Sequence, residues 1–139
     1  MNPSYPPSTA DAAHTRYYSQ TPLTLFRFSA LTFNGHQIHY SVPWCQKVEG
    51  YRNLVVHGPV NLINLLDLWR DARDGRASGK EVGYSVPEKI VYRATRPLYA
   101  DEQYRATLEP EEGKKTNAVI HSGEGAVSMK ADITAPSTI

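Results

Sequence analysis

Three of the five histidines of this chain lie between residues 36 and 57, namely His36, His39 and His57. An imidazole with its ordinary pKa of ~6.5 can both accept and donate a proton near neutral pH. His39 lies in a turn-rich segment, and His57 comes directly before Gly58-Pro59. This pattern is compatible with general acid–base chemistry, in which a positioned imidazole takes a proton from a substrate or a water and returns it.

The sequence Gly58-Pro59 opens the most apolar helical segment of the chain. Proline is tolerated at the start of a helix because the N–H group that it lacks would have no partner there. The remaining N–H groups of the first turn carry partial positive charge. Gly58 is therefore the best backbone donor, and it has no side chain to keep a ligand away. A carbonyl directed at Gly58 would be polarised toward an enolate, as in an oxyanion hole.

Each of these residues also has a purely structural interpretation. A histidine near a helix start is often a cap or a packed side chain, and Gly58-Pro59 alone is only a helix start. The pair His36-x-x-His39 has no accompanying cluster of acidic residues or cysteines, so neither a metal site nor a cofactor is predicted. Cys45, the one cysteine, is predicted to be a small buried apolar residue.

The segment before the histidines divides into an arm and the start of a domain. Residues 1–21 are rich in Pro, Ser, Ala and Tyr and show no apolar period, which predicts a flexible arm. A single domain is predicted over residues 22–139. Residues 23–28 have the composition of a strand, and Ser29 is predicted to cap a short helix through Phe33.

After the histidines the sequence predicts one long helix and then a meander. Residues 59 to about 73 are apolar around most of the helical circumference, which indicates a helix that is largely enclosed by other structure. A polar loop follows over residues 76–87. Beyond it, apolar and polar residues alternate in antiparallel strands that have one wet face, predicted at residues 90–95, 103–109, 115–121 and 127–133. A helix followed by such strands is an α+β layout.

Composition and charge exclude several classes of function. The formal net charge is +1, which gives no electrostatic case for binding nucleic acid or an anionic membrane. The longest apolar runs are too short to span a bilayer. A single cysteine allows no intramolecular disulfide, which suits a reducing compartment. The cytoplasm is the predicted location and the mitochondrion the alternative.

Two long motifs resemble one family. Residues 25–40 read Leu-Phe-Arg-Phe-Ser-Ala-Leu-Thr-Phe-Asn-Gly-His-Gln-Ile-His-Tyr, and residues 54–59 read Leu-Val-Val-His-Gly-Pro. They are similar to the catalytic half of MaoC-like proteins, in particular the mesaconyl-CoA (3-methylfumaryl-CoA) hydratases and the fungal hydroxyacyl-thioester dehydratases type 2. Residues 92–99, Tyr-Arg-Ala-Thr-Arg-Pro-Leu-Tyr, extend the resemblance, which covers about residues 22–134.

The resemblance implies a fold and an activity. The fold is a single hotdog domain of the α+β class, with a long central helix wrapped by a curved antiparallel sheet. The activity is addition or removal of water at the α,β bond of an acyl thioester, carried by CoA or by an acyl carrier protein. By the same resemblance, His39 matches the catalytic histidine, Asn34 falls where the wider group has an aspartate, and Gly58 matches the oxyanion-hole glycine. The residues expected to contact the substrate are His36, His57, Tyr40 and Trp44.

The resemblance also has consequences for assembly and specificity. Its members are about twice as long and carry a preceding non-catalytic half, so a homodimer of this chain is expected to supply the missing contacts. Ser41 stands where the family usually has an acidic residue, and Trp44-Cys45 replaces a Tyr-Ala-like pair. Three further hypotheses therefore accompany the hydro-lyase: an isomerase or cyclase that tailors a natural product, a non-catalytic acyl-binding module, and a hotdog thioesterase.

Overall fold

The computed structural model describes residues 14–74 and 85–137. The first part contains β1 (Thr15–Tyr18), α1 (Pro22–Leu31), a 3₁₀ turn (Gln37–His39), the single turn α2 (Val42–Trp44) that runs on as a π-helical turn (Cys45–Glu49), and the long helix α3 (Gly58–Asp74). The second part contains β2 (Lys89–Ala94), β3 (Tyr104–Leu108), β4 (Lys115–His121) and β5 (Val127–Thr134). The predicted α+β class is confirmed.

The strands form one antiparallel sheet in the order β1-β3-β4-β5-β2. Its centre carries most of the core, because alternate residues of β3, β4 and β5 point to the same face. Ile120 and Ile133 have no exposed surface and Met129 only 1%. The edge strand β2 differs, since most of its side chains are exposed. The four strands predicted from the alternation are therefore confirmed, but β2 is not buried on either face.

Helix α3 packs on the sheet through Leu65, Leu68 and Trp69, all at most 2% exposed. Its bounds agree with the predicted helix to within one residue at each end. One polar residue of α3 is buried and one apolar residue is exposed, since Asn61 is 5% exposed whereas Ile63 is 47% exposed. Helix position, rather than residue polarity, decides which of these two side chains is covered.

The prediction of a strand at residues 23–28 is wrong, because this segment is the first half of α1. Thr21 caps the helix by accepting a hydrogen bond from the N–H group of Thr24, and Pro22 occupies the first helical turn. Leu25 and Ser29, four residues apart, are its buried residues. Ser29 accordingly lies inside the helix and does not begin one.

The predicted arm is corrected at its C-terminal end. Thr15–Tyr18 pairs with β3 as an edge strand of the sheet. The hydroxyl of Tyr18 also donates a hydrogen bond to the carbonyl of Asn64 in α3, at 3.1 Å. These residues belong to the domain. Residues 1–13 of the predicted arm and residues 75–84, within and next to the predicted polar loop, lie outside the described residues.

Candidate active site

An extended segment at residues 54–56 brings the two histidine-bearing stretches together. The N–H group of Val55 donates to the carbonyl of Ile38 at 2.9 Å, which ties the segment to the 3₁₀ turn. The N–H group of Val56 donates to the carbonyl of Leu98 at 2.8 Å, which ties it to the chain that follows β2. His39 at the end of the turn and His57 at the end of the segment are thereby neighbours.

His39 is 7% exposed, and its Nδ1 lies 2.7 Å from the carbonyl oxygen of Val55. A carbonyl oxygen can only accept, so Nδ1 carries the hydrogen and donates it. In the neutral ring, Nε2 then holds the lone pair that can take a proton. Burial lowers the pKa of His39 below its ordinary value, and the neighbouring His36 lowers it further, against the opposing effect of the Val55 bond. The ring is therefore a neutral base at neutral pH.

His57 lies against His39 as a second, more deeply buried imidazole. The two ring centroids are 3.6 Å apart and the planes meet at 15°, which is a stacked arrangement. The Nε2 atom of His57 is 2.8 Å from the hydroxyl oxygen of Ser29, which lies on α1. Burial, and then the neighbouring His39, lower the pKa of His57 to about 4. His57 is thus neutral over the whole physiological range.

Gly58 begins α3 directly beside this pair of rings. The carbonyl of His57 accepts from the N–H groups of Val60 and Asn61, so the helical hydrogen bonds start one residue before Gly58. None of the described residues accepts a hydrogen bond from the N–H group of Gly58 itself. A Cβ atom built on Gly58 would meet nothing within 4 Å. A ligand can therefore approach the helix start at the position where a side chain of residue 58 would lie.

Asn34 lies in the turn that joins α1 to the 3₁₀ turn that carries His39. Its Oδ1 accepts from the N–H group of His36 at 3.1 Å, and the Nδ1 of His36 accepts in turn from the N–H group of Ile38 at 3.3 Å. The His36 and His39 ring centroids are 6.0 Å apart. The side-chain N–H₂ group of Asn34 donates to none of the described residues. It is a half-buried donor available to a ligand.

A cavity of about 340 Å³ lies beside α1 and the turn after it, with largely apolar walls. The residues that line it are Phe26, Ser29, Ala30, Phe33, Asn34, Gly35 and Tyr40. The hydroxyl of Tyr40 donates to the carbonyl of Gly35 at 3.0 Å, which holds that ring in the wall. Of the sequence-predicted site residues, Asn34 and Tyr40 therefore share this cavity, while His39, His57 and Gly58 group beside it around the start of α3.

Two of the residues expected to contact the substrate, Trp44 and His57, are bound by or buried within the protein itself. The Nε1 of Trp44 donates to a carboxylate oxygen of Glu49 at 3.2 Å, on the far side of the π-helical turn. The ring of His57 is only 1% exposed. Cys45, between these segments, is fully buried and donates its thiol hydrogen to the carbonyl of Ile38. Its prediction as a buried residue is confirmed, and burial raises the pKa of its thiol.

Ser29 and Val55 are parts of the site that could not be recognised from the predicted elements. Val55 acts through its backbone, so no side-chain type could have indicated it. The sequence predicts Ser29 as a helix cap, although its position four residues after the buried Leu25 places it on the inner face of α1.

Within the described residues no group of three or more potential metal ligands occurs, and no helix there has the length and hydrophobicity of a membrane span.

Comparison with known proteins gives matches in sequence and in structure. Mesaconyl-C(4)-CoA hydratase of Chloroflexus aurantiacus is 37% identical over 121 residues, covering 87% of this chain and 39% of that protein. The mitochondrial hydroxyacyl-thioester dehydratase type 2 of Schizosaccharomyces pombe is 40% identical over 57 residues, covering 41% of this chain and 19% of that protein. The chain thus spans less than half the length of both relatives.

The solved structure of an (R)-hydratase from A. caviae involved in PHA biosynthesis superposes with a TM-score of 0.67 at 15% identity. The match covers 89% of this chain and 92% of that one. A likeness at this level of identity shows the fold, and the predicted hotdog domain is confirmed. The family described as hydroxyacyl-thioester dehydratase type 2 matches residues 1–100 of the sequence. Because that match covers most of its length, the chain belongs to the hydroxyacyl-thioester dehydratase type 2 family.

Proposed function

We propose that the chain is a cofactor-independent hydro-lyase that adds or removes water at the α,β bond of an acyl thioester. The observation that carries this proposal is the fixed tautomer of His39, whose Nδ1 donates to the Val55 carbonyl and whose Nε2 is left as the proton acceptor. The two relatives of this chain described above are named as a hydratase and a dehydratase. One base beside one backbone donor is the minimum set that this reaction needs.

The proposed proton path uses His39 alone. In dehydration, Nε2 takes the α-proton of a 3-hydroxyacyl thioester and gives the same proton to the departing hydroxyl, which leaves as water. Hydration is the reverse: Nε2 takes a proton from water as its oxygen bonds to the β-carbon, and delivers that proton to the α-carbon. Because one atom serves both carbons, both bonds form or break on one face, and the addition is syn.

Gly58 and Asn34 have supporting roles in this proposal. The Gly58 N–H group at the start of α3 would hold the thioester oxygen, where negative charge develops as the α-proton leaves. An amide cannot act as a base, but the free N–H₂ group of Asn34 can hold the water or the 3-hydroxyl. The cavity beside Phe26, Phe33 and Tyr40 would take the acyl chain.

The test is a mass measurement on purified protein. Crotonyl-CoA, mesaconyl-CoA and enoyl chains on a carrier protein are incubated separately with wild-type protein and with His39→Ala. A hydro-lyase adds one water to at least one substrate, and His39→Ala does not. An isomerase or cyclase would change the retention time at constant mass, a thioesterase would release free thiol, and a binding module would leave every substrate intact. Any of these three outcomes would contradict the proposal.

We also propose that the chain forms a homodimer. The support for this proposal is the unpaired and exposed edge strand β2. Strand β2 hydrogen-bonds only β5 among the described strands, and both its faces are open, with Val91 53% and Tyr92 48% exposed. An open edge of this kind invites a second strand. In the proposed dimer, β2 of one copy pairs with β2 of its partner and extends the sheet.

Light scattering at micromolar concentration tests this assembly. Wild-type protein should have twice the mass of one chain, and Val91→Lys should weaken the dimer because a lysine on an edge strand opposes pairing. Tyr17→Lys on β1, the opposite edge, is the matched control and should remain dimeric. A stable wild-type monomer, or dissociation by the β1 variant alone, would overturn the proposal.

We also propose that the protein is located in the cytoplasm. Cys45 is a free and buried thiol, which suits the reducing cytoplasm. The mitochondrion remains the alternative, since the name of one relative places that relative there. Imaging of the full chain fused at its C-terminus to a fluorescent protein separates the two compartments.

A further inference from the structure

The buried ring of His57 is held on three sides. Ser29 contacts its Nε2 atom at 2.8 Å, and the His39 ring stacks on one face at 3.6 Å between centroids. Phe28 meets it edge-on, with centroids 4.9 Å apart and planes at 65°. Because Phe28 and Ser29 are consecutive residues of α1, one helical turn fixes the orientation of an imidazole that contacts the proposed base.

An apolar residue would fill this position at lower cost. The Nδ1 atom of His57 is buried and has no hydrogen-bond partner among the described residues. A buried polar atom without a partner destabilises the folded state, because it loses its hydrogen bonds to water. The Nε2–H tautomer, donating to Ser29, leaves only a bare lone pair at Nδ1, which is less costly than an orphaned N–H group. Packing alone does not explain a histidine here.

We propose that His57, fixed by Ser29, is a positioning residue that seals one face of the His39 ring and limits the stacked pair to a single proton. The inference rests on the proposed function only in naming His39 as the base. A sealed ring face keeps water away from the base, and a second proton on rings 3.6 Å apart would place two positive charges in contact. The proton taken by His39 therefore stays on His39 until the substrate accepts it.

No acidic group within residues 14–74 and 85–137 raises the pKa of either ring. The ionisable groups that act on the pKa values of the two rings are the rings themselves and His36, which caps the 3₁₀ turn, and none of these is an acid. The other groups in contact with the rings are uncharged. The Val55 carbonyl of the extended segment contacts His39, and the side chains of Phe28 and Ser29 on α1 contact His57. Both pKa values are lowered, that of His57 to about 4.

The experiment is an NMR titration of imidazole-labelled protein without any substrate. In the wild type, His57 should stay neutral down to about pH 4 and His39 should titrate below 6.5. In His57→Ala water reaches the exposed ring face, so the pKa of His39 should rise toward 6.5. Ser29→Ala, which leaves the ring in place but unfixed, should move it in the same direction by less. It also keeps the test available if His57→Ala does not fold.

The matched control is His121→Ala on β4. His121 is also a histidine whose pKa is lowered by burial, but it has no contact with the stacked pair among the contacts described. This variant should leave the His39 titration unchanged. The inference is overturned if both the His57 and Ser29 variants also leave it unchanged, or if His57 itself titrates near 6.5 alongside His39.

A kinetic measurement on the same variants separates this inference from the proposed function. If a thioester is turned over, kcat/KM should fall on the acid side as His39 is protonated, and this limb should move to higher pH in His57→Ala. Turnover without any movement of the limb overturns the inference and leaves the hydro-lyase standing. An NMR shift without turnover of any thioester supports the inference and counts against the hydro-lyase.

Discussion

The two ends of α3 treat polar groups in opposite ways. At the C-terminal end, the charges are paired: Arg73 contacts Glu111 at 3.1 Å, and Arg16 contacts Asp71 at 2.7 Å. At the N-terminal end there are no ion pairs among the described residues, and His57 and Gly58 present polar atoms without protein partners. One cavity borders the C-terminal end, and another lies near the N-terminal end at Ser29, which contacts His57, so the presence of a cavity does not distinguish them.

The difference shows which end is suited to chemistry. Paired charges at the C-terminal end complete the structure. At the N-terminal end, the helix start contributes partial positive charge and an unfilled N–H group beside a neutral base. Burial of the two imidazoles lowers their pKa values there. Substitutions at the N-terminal end should therefore change turnover, and substitutions at the C-terminal end should change only stability.

The largest effect is expected for His39→Ala. This variant removes the only proton acceptor assigned to the reaction, and loss of general acid–base catalysis typically costs ~100- to 10,000-fold in rate. Initial rates with the thioester found by mass analysis give the value. His121→Ala, a histidine outside the site, should retain wild-type turnover. Full activity of His39→Ala would remove the proposed mechanism and leave the fold untouched.

Gly58→Ala tests the open helix start. The added methyl group meets no atom within 4 Å, so the melting temperature should stay at the wild-type value. The methyl group would, however, occupy the space through which a carbonyl approaches the N–H group. A displacement of about 1 Å at a reacting centre costs up to ~100-fold, and a fall of about 10- to 100-fold in kcat is expected. Unchanged kinetics would show that the substrate does not approach Gly58.

Asn34→Ala should have a smaller effect than either. Loss of one ordinary hydrogen bond is worth about 0.5–1.5 kcal/mol, which is roughly 2- to 10-fold in rate, and solvent can recover part of it. The Oδ1 atom of Asn34 also holds the N–H group of His36. Asn34→Asp keeps that acceptor and controls for the turn. If Asn34→Ala costs as much as His39→Ala, Asn34 positions the base as well as the water.

The long helix and the central strands could be predicted from the sequence better than the segment at residues 23–28. Strong periodicity gave α3 and the central strands, because burial of one face imposes a spacing that any reader of the sequence can count. The resemblance indicated His39 and Gly58. The composition of residues 23–28 predicted a strand, although Thr21 and Pro22 carried the opposing signals of a helix cap and a first turn. In this segment, local helix-start signals outweighed β-type composition.

The contacts that set the chemistry of His39 could not be predicted from spacing. Ser29 is 28 residues from His57, and Val55 is 16 residues from His39. These pairs meet only because α1, the 3₁₀ turn and the extended segment before α3 converge. The chain length between two residues sets how far apart they can be, and it does not fix a hydrogen bond between them.

The free energy of unfolding should fall in acid because of the two buried histidines at the N-terminal end of α3. His57 and His39 have lower pKa values in the folded state than in the unfolded chain, so the unfolded state binds more protons as the pH drops. The free energy of unfolding should be constant above about pH 6.5 and fall progressively between 6.5 and about 4. Urea denaturation across this range measures the slope. His57→Leu should flatten it, and an unchanged slope in that variant would assign the acid sensitivity elsewhere.

The smallest effect is expected at the C-terminal end of α3, for Glu111→Gln. The carboxylate of Glu111 is 40% exposed and the side chain of Arg73 33%. A solvent-screened pair of this kind contributes about 0.2–1 kcal/mol to stability, and Gln keeps most of the side-chain volume. The melting temperature should therefore drop by a few degrees at most, with less effect at high salt, because ions screen exposed charges. The pH–rate profile should match that of the wild type, since no atom of this pair contacts His39, His57 or Gly58. A shift of that profile in Glu111→Gln would show that a charge at the C-terminal end of α3 changes the pKa of His39 at the other end. The conclusion that the C-terminal end contributes only to stability would then be wrong.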